Sequence, residues 1–308
     1  MTTLPIDSAA YGIDSHWLVH EQAARRLLIV YAHPDDESFG NAGTILRYTS
    51  AGVAVHYACA TRGEAGTVAP ERLAGYPDTA ALRTAELLCA AGALGLAGVH
   101  FLGYRDSGMP GTPDNQHPDA LVQAPRQRVT GQIVALIRAL RPQVVLTFGP
   151  YGGYGHPDHI AIHHAALAAF EQAGDPACLP EQQAAGLLPW SPARLYYPTF
   201  RVALAGPMLA LMWLFRRDPR RFGQNGDVDL TRAIAMVTPV TTAINSAAFL
   251  EAKERAWACH ASQGGGRERT GRLPVLLRRR LSATERFTRV VPRWEGGQEV
   301  ERDLFAGL

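Results

Sequence analysis

The sequence predicts an α/β fold: a Rossmann-like, largely parallel sheet with helices on both faces and a polar site at the carboxyl ends of its first and fourth strands. Three observations predict it. Short apolar runs rich in β-branched residues alternate with stretches of helical spacing, the pattern of repeated strand-helix units. Two of those runs, 27–31 and 144–148, end abruptly in clusters of histidine, proline and aspartate. The chain carries no internal repeat, and 308 residues suffice to bury a sizeable core.

Residues 1–24 read as a leader that packs on the domain or frays, with Trp17 and Leu18 as its anchors. Leu27-Leu28-Ile29-Val30-Tyr31 has the composition of a central strand buried on both faces. A helix is expected over 40–50, with Ile45, Leu46 and Tyr48 at helical spacing and Gly52 as its stop. The second strand, 53–60, leads into a polar stretch through Asp78 that reads as a functional loop. The helix predicted over 79–96 buries Leu82, Leu87 and Leu88 and carries Arg83 near its start. A third strand at 98–102 opens into another long polar loop reaching about 124. Val129, Ile133, Val134, Ile137 and Leu140 define the buried face of a helix over 127–140, which Pro142 stops before the fourth strand. Beyond it we expect a helix over 160–173, strands at 194–197 and 234–240, and a helix over 245–260 with an Asn-Ser cap. A single domain, 1–308, accommodates all of these: a core of about 25–200, with 201–308 supplying a lid or cap and C-terminal elements.

The first strand runs into His33-Pro34-Asp35-Asp36-Glu37-Ser38. Adjacent carboxylates repel one another and are costly to desolvate, so a cation or a polar substrate is expected among them. If the chain turns at Pro34, Asp36 returns to the point that His33 faces, and Asp35 is left beside them with a free carboxylate. A bare His-x-x-Asp is weak by itself. The fourth strand, however, is followed by Gly152-Gly153-Tyr154-Gly155-His156-Pro157-Asp158-His159. In the doubly wound order 3-2-1-4-5 the first and fourth strands are neighbours, and ligands bind in the crevice beyond their carboxyl ends. His33, Asp36 and His159 thereby form a two-histidine, one-carboxylate set with a position left for water, the donor composition of a catalytic metal site. Plainer readings stand beside these. Asp158 suits a helix cap, Arg83 and Asp106 by themselves suit solvated positions, and His56, His100, His163 and His164 suit hydrogen-bonded core histidines.

With 47% hydrophobic and 19% charged residues the chain is too apolar for disorder, and a net charge of +2 does not suggest a nucleic-acid partner. Cys59, Cys89, Cys178 and Cys259 form no Cys-x-x-Cys pair and are expected as separate buried thiols in a reducing compartment. The first twenty residues lack a basic segment followed by an apolar one, so a cytoplasmic location is expected. The glycines of 149–155 are not followed by Gly-Lys-Ser/Thr, and no Gly-x-Gly-x-x-Gly follows the first strand, which argues against phosphate and dinucleotide binding. The apolar stretch 202–215 is too short to span a bilayer. With the arginines of 216–221 and of 267–289 it reads as solvated surface, the functional alternatives being a lid or a peripheral membrane contact with anionic headgroups.

At Ala32-His33-Pro34-Asp35-Asp36-Glu37 together with His156-Pro157-Asp158-His159, the sequence resembles the PIG-L/LmbE-like N-acetylglucosaminyl deacetylases. The resemblance runs from about 27 to 170, with a weaker match at 258–263. Tyr154, the run Arg105-Asp106-Ser107-Gly108-Met109, and Arg83 ahead of Glu86-Leu87 are similar in pattern to the bacterial N-acetylglucosaminyl-inositol deacetylases of low-molecular-weight thiol synthesis. The resemblance implies hydrolysis of the N-acetyl group of a small amino-sugar conjugate, with zinc held by His33, Asp36 and His159; ferrous iron also suits that set. It implies Asp35 as the general base that takes a proton from the attacking water and later delivers one to the leaving amine. His156 would stabilise the oxyanion, as an imidazolium donor, with Asp158 orienting it or a neighbouring histidine. Tyr154 would assist at the reacting carbonyl, and Arg83 and Asp106 would hold substrate hydroxyls. The alternatives are cleavage of a larger amide such as a thiol conjugate, deacetylation of a lipid-linked amino sugar, and sugar binding without catalysis.

Overall fold

The computed structural model describes residues 8–18, 23–200, 205–222, 226–266, 282–297 and 299–308. Eight strands form one sheet: β1 (Asp14–Trp17), β2 (Arg26–Tyr31), β3 (Ala54–Thr61), β4 (Gly98–Tyr104), β5 (Val144–Thr147), β6 (Arg194–Thr199), β7 (Thr242–Asn245) and β8 (Thr284–Val291). Their order is β1-β4-β3-β2-β5-β6-β8-β7. The inner strands β4-β3-β2-β5-β6 pair in parallel and reproduce the expected 3-2-1-4-5 order. Antiparallel strands extend both margins, β1 on β4 at one side and β8 then β7 beyond β6 at the other.

The helices are α1 (Asp36–Gly40), α2 (Ala42–Ser50), α3 (Thr79–Leu94), α4 (Arg126–Leu140), α5 (Gly152–Gly155), α6 (Pro157–Gln172), α7 (Pro180–Ala184), α8 (Ala205–Leu214), α9 (Leu230–Ala235) and α10 (Leu250–Cys259). Helices α2, α3 and α10 pack together in one layer, α4 and α6 in another. Between them Leu27 to Ala32 are fully buried, as a parallel strand covered on both faces requires. Local chemistry sets the helix ends. Asp78 accepts the N–H of Ala81 to start α3, and Gly95, at φ +69°, stops it.

Several expectations change. The leader contributes β1, fixed by Trp17, whose ring lies edge-on to both His56 and His100. The strand expected at 234–240 is absent: Asp229 caps α9 there, Pro239 interrupts the segment after that helix, and the strand is instead β7. Asn245 does accept the N–H of Ala247, but it closes β7, and α10 starts at Leu250. Helix α6 begins three residues earlier than expected because Pro157 occupies its first turn, so Asp158 and His159 are helical. Within 201–308, expected to supply a lid or cap and C-terminal elements, β7 and β8 join the same sheet. Cys89 and Cys259 are not separate thiols but form a disulfide. Packing of α3 on α10 brings their Cα atoms to 5.8 Å, within bridging range, although 170 positions separate them. This removes the argument for a reducing compartment, while Cys59 and Cys178 remain free. Residues 202–204 and most of the arginine-rich stretch 267–289 lie outside the described residues. Among those described, no helix is long and apolar enough to cross a membrane.

Ile29 is fully buried at the centre of the sheet, so Ile29→Ala is expected to cost about 2–5 kcal/mol in urea denaturation. His56 Nδ1 lies 3.1 Å from His100 Nε2, and His100 Nδ1 lies 2.9 Å from Ser15 Oγ. Burial, then the neighbouring His56, holds His100 well below the ordinary histidine value of 6.5. The unfolded chain takes up a proton there below 6.5 and the folded chain does not, so stability is lost as pH falls below that value. The denaturation midpoint should therefore drop between about pH 7 and pH 5, and drop less in His100→Gln; equal pH profiles would contradict a neutral His100.

Candidate metal centre and catalytic crevice

Parallel pairing of β2 with β5 sets the turn after β2 beside the turn that opens α6. Gly152, at φ +61°, presents its carbonyl to His159 Nδ1 at 2.9 Å, and a Cβ there would sit 2.6 Å from that of His159. Since a carbonyl only accepts, Nδ1 carries the proton and Nε2 of the neutral ring offers a lone pair to the crevice. Phe148 stacks on the His159 ring at a centroid distance of 3.9 Å, and His163 donates from Nδ1 to the Phe148 carbonyl. His163 thus supports the wall behind His159, whereas His164 is exposed.

His33 is fixed in the same sense. Its Nε2 lies 3.2 Å from Asp158 Oδ2 and 3.4 Å from Asp106 Oδ1, two acceptors that place the proton on that nitrogen. Its Nδ1 lies 3.2 Å from His159 Nε2 and 3.6 Å from Asp36 Oδ2, while His159 Nε2 lies 3.5 Å from Asp36 Oδ1. Burial alone would lower the His33 pKa, yet Asp106, Asp158 and Asp36 raise it well above the usual value. Burial would raise Asp36, but His159 and His33 hold it well below the carboxylate range. The two ring nitrogens and the Asp36 carboxylate, with one oxygen toward each ring, therefore converge at spacings of 3.2 to 3.6 Å, near the roughly 3.3 Å separation of neighbouring ligands in a tetrahedral zinc site. His156 also lies within ligating reach of His33 and His159, and His33, Asp106, His156 and Asp158 form a second convergent group.

Asp35 sits beside this triangle with its side chain 22% exposed. Burial pushes its pKa up to about 6, against the pull of Arg83, whose Nη2 lies 3.4 Å away. Arg83 is buried and donates to the carbonyls of Pro34 at 2.6 Å and Gly63 at 3.1 Å. Gly63, at φ +72°, permits that approach, since a Cβ there would collide with the Arg83 guanidinium. Asp106 is buried as well, accepting the Gly108 N–H on Oδ1.

His156 is not an imidazolium. Burial first, then His33 and His159, depresses its pKa far below 6.5. Its Nδ1 accepts the Asp158 N–H, which makes His156 the cap of α6, and the proton of the neutral ring sits on Nε2. Asp158 caps nothing; it accepts from Ser107 N at 2.9 Å and orients His33. Tyr154 lies on the rim, 37% exposed, with its ring edge-on to His156 and His159. Sequence reasoning assigned no part to Glu64, which accepts the Asp106 N–H, or to Glu37, which accepts the Asp35 N–H. The only trace of Glu37 was its place as third acid in the run after β2.

A family model described as PIG-L, GlcNAc-PI de-N-acetylase, matches residues 28–170. The 1D-myo-inositol 2-acetamido-2-deoxy-alpha-D-glucopyranoside deacetylase of Streptomyces avermitilis is 38% identical over 298 residues, covering 92% of this chain and 97% of its own length. The proteins of the same name from Thermobifida fusca and Rhodococcus erythropolis are 38% and 41% identical, covering 92% and 78% of this chain and 99% and 82% of their own. Among solved structures, the conserved protein TT1542 from Thermus thermophilus shares the fold with a TM-score of 0.54 at 22% identity, over 89% of this chain and 98% of that one. N,N'-diacetylchitobiose deacetylase from Pyrococcus horikoshii does so with a TM-score of 0.50 at 21% identity, over 86% and 84%. The two His-Pro-Asp clusters of the present chain meet in one crevice and its alignment to the inositol-sugar deacetylases runs over nearly the whole length, so the chain belongs to the PIG-L family of de-N-acetylases.

Proposed function

We propose that the protein hydrolyses the acetamide of an N-acetylglucosaminyl-inositol, releasing acetate and the free amine, with a divalent metal held by His33, Asp36 and His159. One observation carries the metal assignment: two imidazole nitrogens, each turned into the crevice by the acceptor on its other side, face each other at 3.2 Å beside a carboxylate. A cation there displaces the proton that the surrounding carboxylates favour on His33 and takes both nitrogens as ligands. Zinc fits two histidines and a carboxylate, and ferrous iron is the alternative. Bound there, the metal would supply Lewis acidity and bring the pKa of water from 15.7 down to roughly 7.

The chain's own groups account for the proton traffic. Asp35, free of any capping bond and flanked by Arg83, accepts a proton from the attacking water and returns it to the departing amine. His156 donates from Nε2 to the carbonyl oxygen as negative charge develops there, a neutral donor in a buried site. Tyr154 closes the rim over the reacting group. The burial of Arg83 and Asp106 favours holding Asp35 and His33 in place over direct contact with substrate hydroxyls.

A second reading, action on a lipid-linked amino sugar, is favoured by α8. Met208, Leu211, Trp213, Leu214 and the adjoining Phe215 are exposed, next to exposed Arg216 and Arg217, a composition suited to anionic headgroups.

The protein purified without added metal should carry about one metal ion per chain and release amine from N-acetylglucosaminyl-inositol, with both properties lost in His159→Ala. Asp35→Asn should keep the metal and lose at least about 100-fold in kcat. Absence of metal after reconstitution would overturn the assignment. The lipid reading predicts cosedimentation with vesicles containing anionic lipid, weakened in Trp213→Ser, and no binding would dismiss it.

A further inference from the structure

Asp35 has an unusual backbone, φ 118° and ψ −24°, in a region that residues with side chains rarely occupy. Such a conformation persists only where the surroundings hold it. The Asp35 N–H donates to Glu37 Oε2 at 3.0 Å, two residues on. The Glu37 carboxylate has no solvent exposure, and its other oxygen takes the Ser38 hydroxyl at 2.6 Å and His260 Nε2 at 2.7 Å. His260, likewise without exposure, comes from a segment 223 residues away.

That segment is fastened at several points. Cys259 is bridged to Cys89 on α3. Ser262 gives its N–H and its hydroxyl to the two oxygens of Glu86, also on α3, at 2.7 and 2.6 Å. The His260 carbonyl accepts the N–H of Gly265 at 2.9 Å. Arg83, Glu86 and Cys89 are spaced three apart and so share one side of α3. From that side Arg83 reaches the Asp35 carboxylate directly, while residues 259–262 reach the Asp35 backbone through Glu37.

We propose that Glu37 and His260 are positioning residues for Asp35: His260 fixes the Glu37 carboxylate, and Glu37 fixes the left-handed backbone that aims the Asp35 side chain at the reacting water. The proposal rests on the reading of Asp35 as general base. His260 makes no hydrogen bond to the Asp35 carboxylate; its hydrogen bond is to Glu37, which in turn accepts the Asp35 N–H. Loss of its partner leaves Glu37 as a buried, under-paired carboxylate that reorients and releases the Asp35 N–H. A base displaced by about 1 Å loses one to two orders of magnitude in rate without altering substrate affinity.

The test compares wild type, His260→Ala, His260→Gln, Glu37→Gln, Asp35→Asn and the double variant Asp35→Asn/His260→Ala, reading kcat, KM, metal content and Tm. His260→Ala and Glu37→Gln should lower kcat at least about tenfold with KM within about twofold and metal content unchanged. His260→Gln, whose amide can donate to the same carboxylate, should recover most of kcat. His260→Ala should add no further loss in the Asp35→Asn background, because both act on one proton transfer. Wild-type kcat in folded His260→Ala or Glu37→Gln overturns the proposal, and so does a full additional loss in the double variant. If His260→Ala does not fold, Glu37→Gln and His260→Gln decide the matter by the same criteria. Wild-type turnover in Asp35→Asn would instead show that the reading of the base has failed, a result distinct from failure of the positioning pair.

Discussion

The parallel pairing of β2 with β5 is the constraint on which the site depends. Each strand delivers a histidine-containing turn at its carboxyl end, and only their adjacency brings His33 within 3.2 Å of His159 across 126 residues of sequence. Neither turn makes a site by itself. The pairing in turn rests on the burial of 27–32 and 144–146 between two helix layers, so the hydrophobic effect that builds the core also sets the spacing of the polar crevice.

Around that crevice the electrostatics are arranged by what sits behind each ring. Asp158 and Asp106 lie behind His33, and the Gly152 carbonyl lies behind His159, which turns the free nitrogens of the two rings toward each other. Asp36, Asp106 and Asp158 would repel one another if isolated. Backbone N–H groups of His33, Gly108 and Ser107 meet one oxygen of each, and His33 lies between them. Asp35 differs from these three. It accepts no backbone bond that lowers its pKa, so burial leaves it close to neutrality and able to exchange a proton.

The C-terminal part braces this arrangement. Glu285 on β8 accepts the N–H groups of Gly43 and Thr44 at 2.9 and 2.6 Å, an anion at the start of α2, and Lys253 of α10 pairs with it. The Cys89–Cys259 bridge and the bonds from Ser262 to Glu86 hold the end of α10 against α3. Residues distant in sequence thereby back both the turn that carries Asp35 and the start of α2.

The sequence by itself determined the inner sheet, its order, and the residues that gather at its crevice, because each of these is written locally. Apolar runs of strand length mark β2 to β5, Pro142 and Gly95 mark helix ends, and His-Pro-Asp marks each turn. Tertiary structure alone decided what depends on partners far along the chain. The neutral state of His156 comes from burial beside two other histidines, and the Cys89–Cys259 bridge comes from the packing of α3 on α10. The margin strands β1, β7 and β8 are short or carry polar residues, so their identity as strands comes from the edges they pair with and not from their own periodicity. Glu37 read as one more acid in a run. Its bond to Asp35 is local, but its partner His260 comes from 223 residues later in the chain.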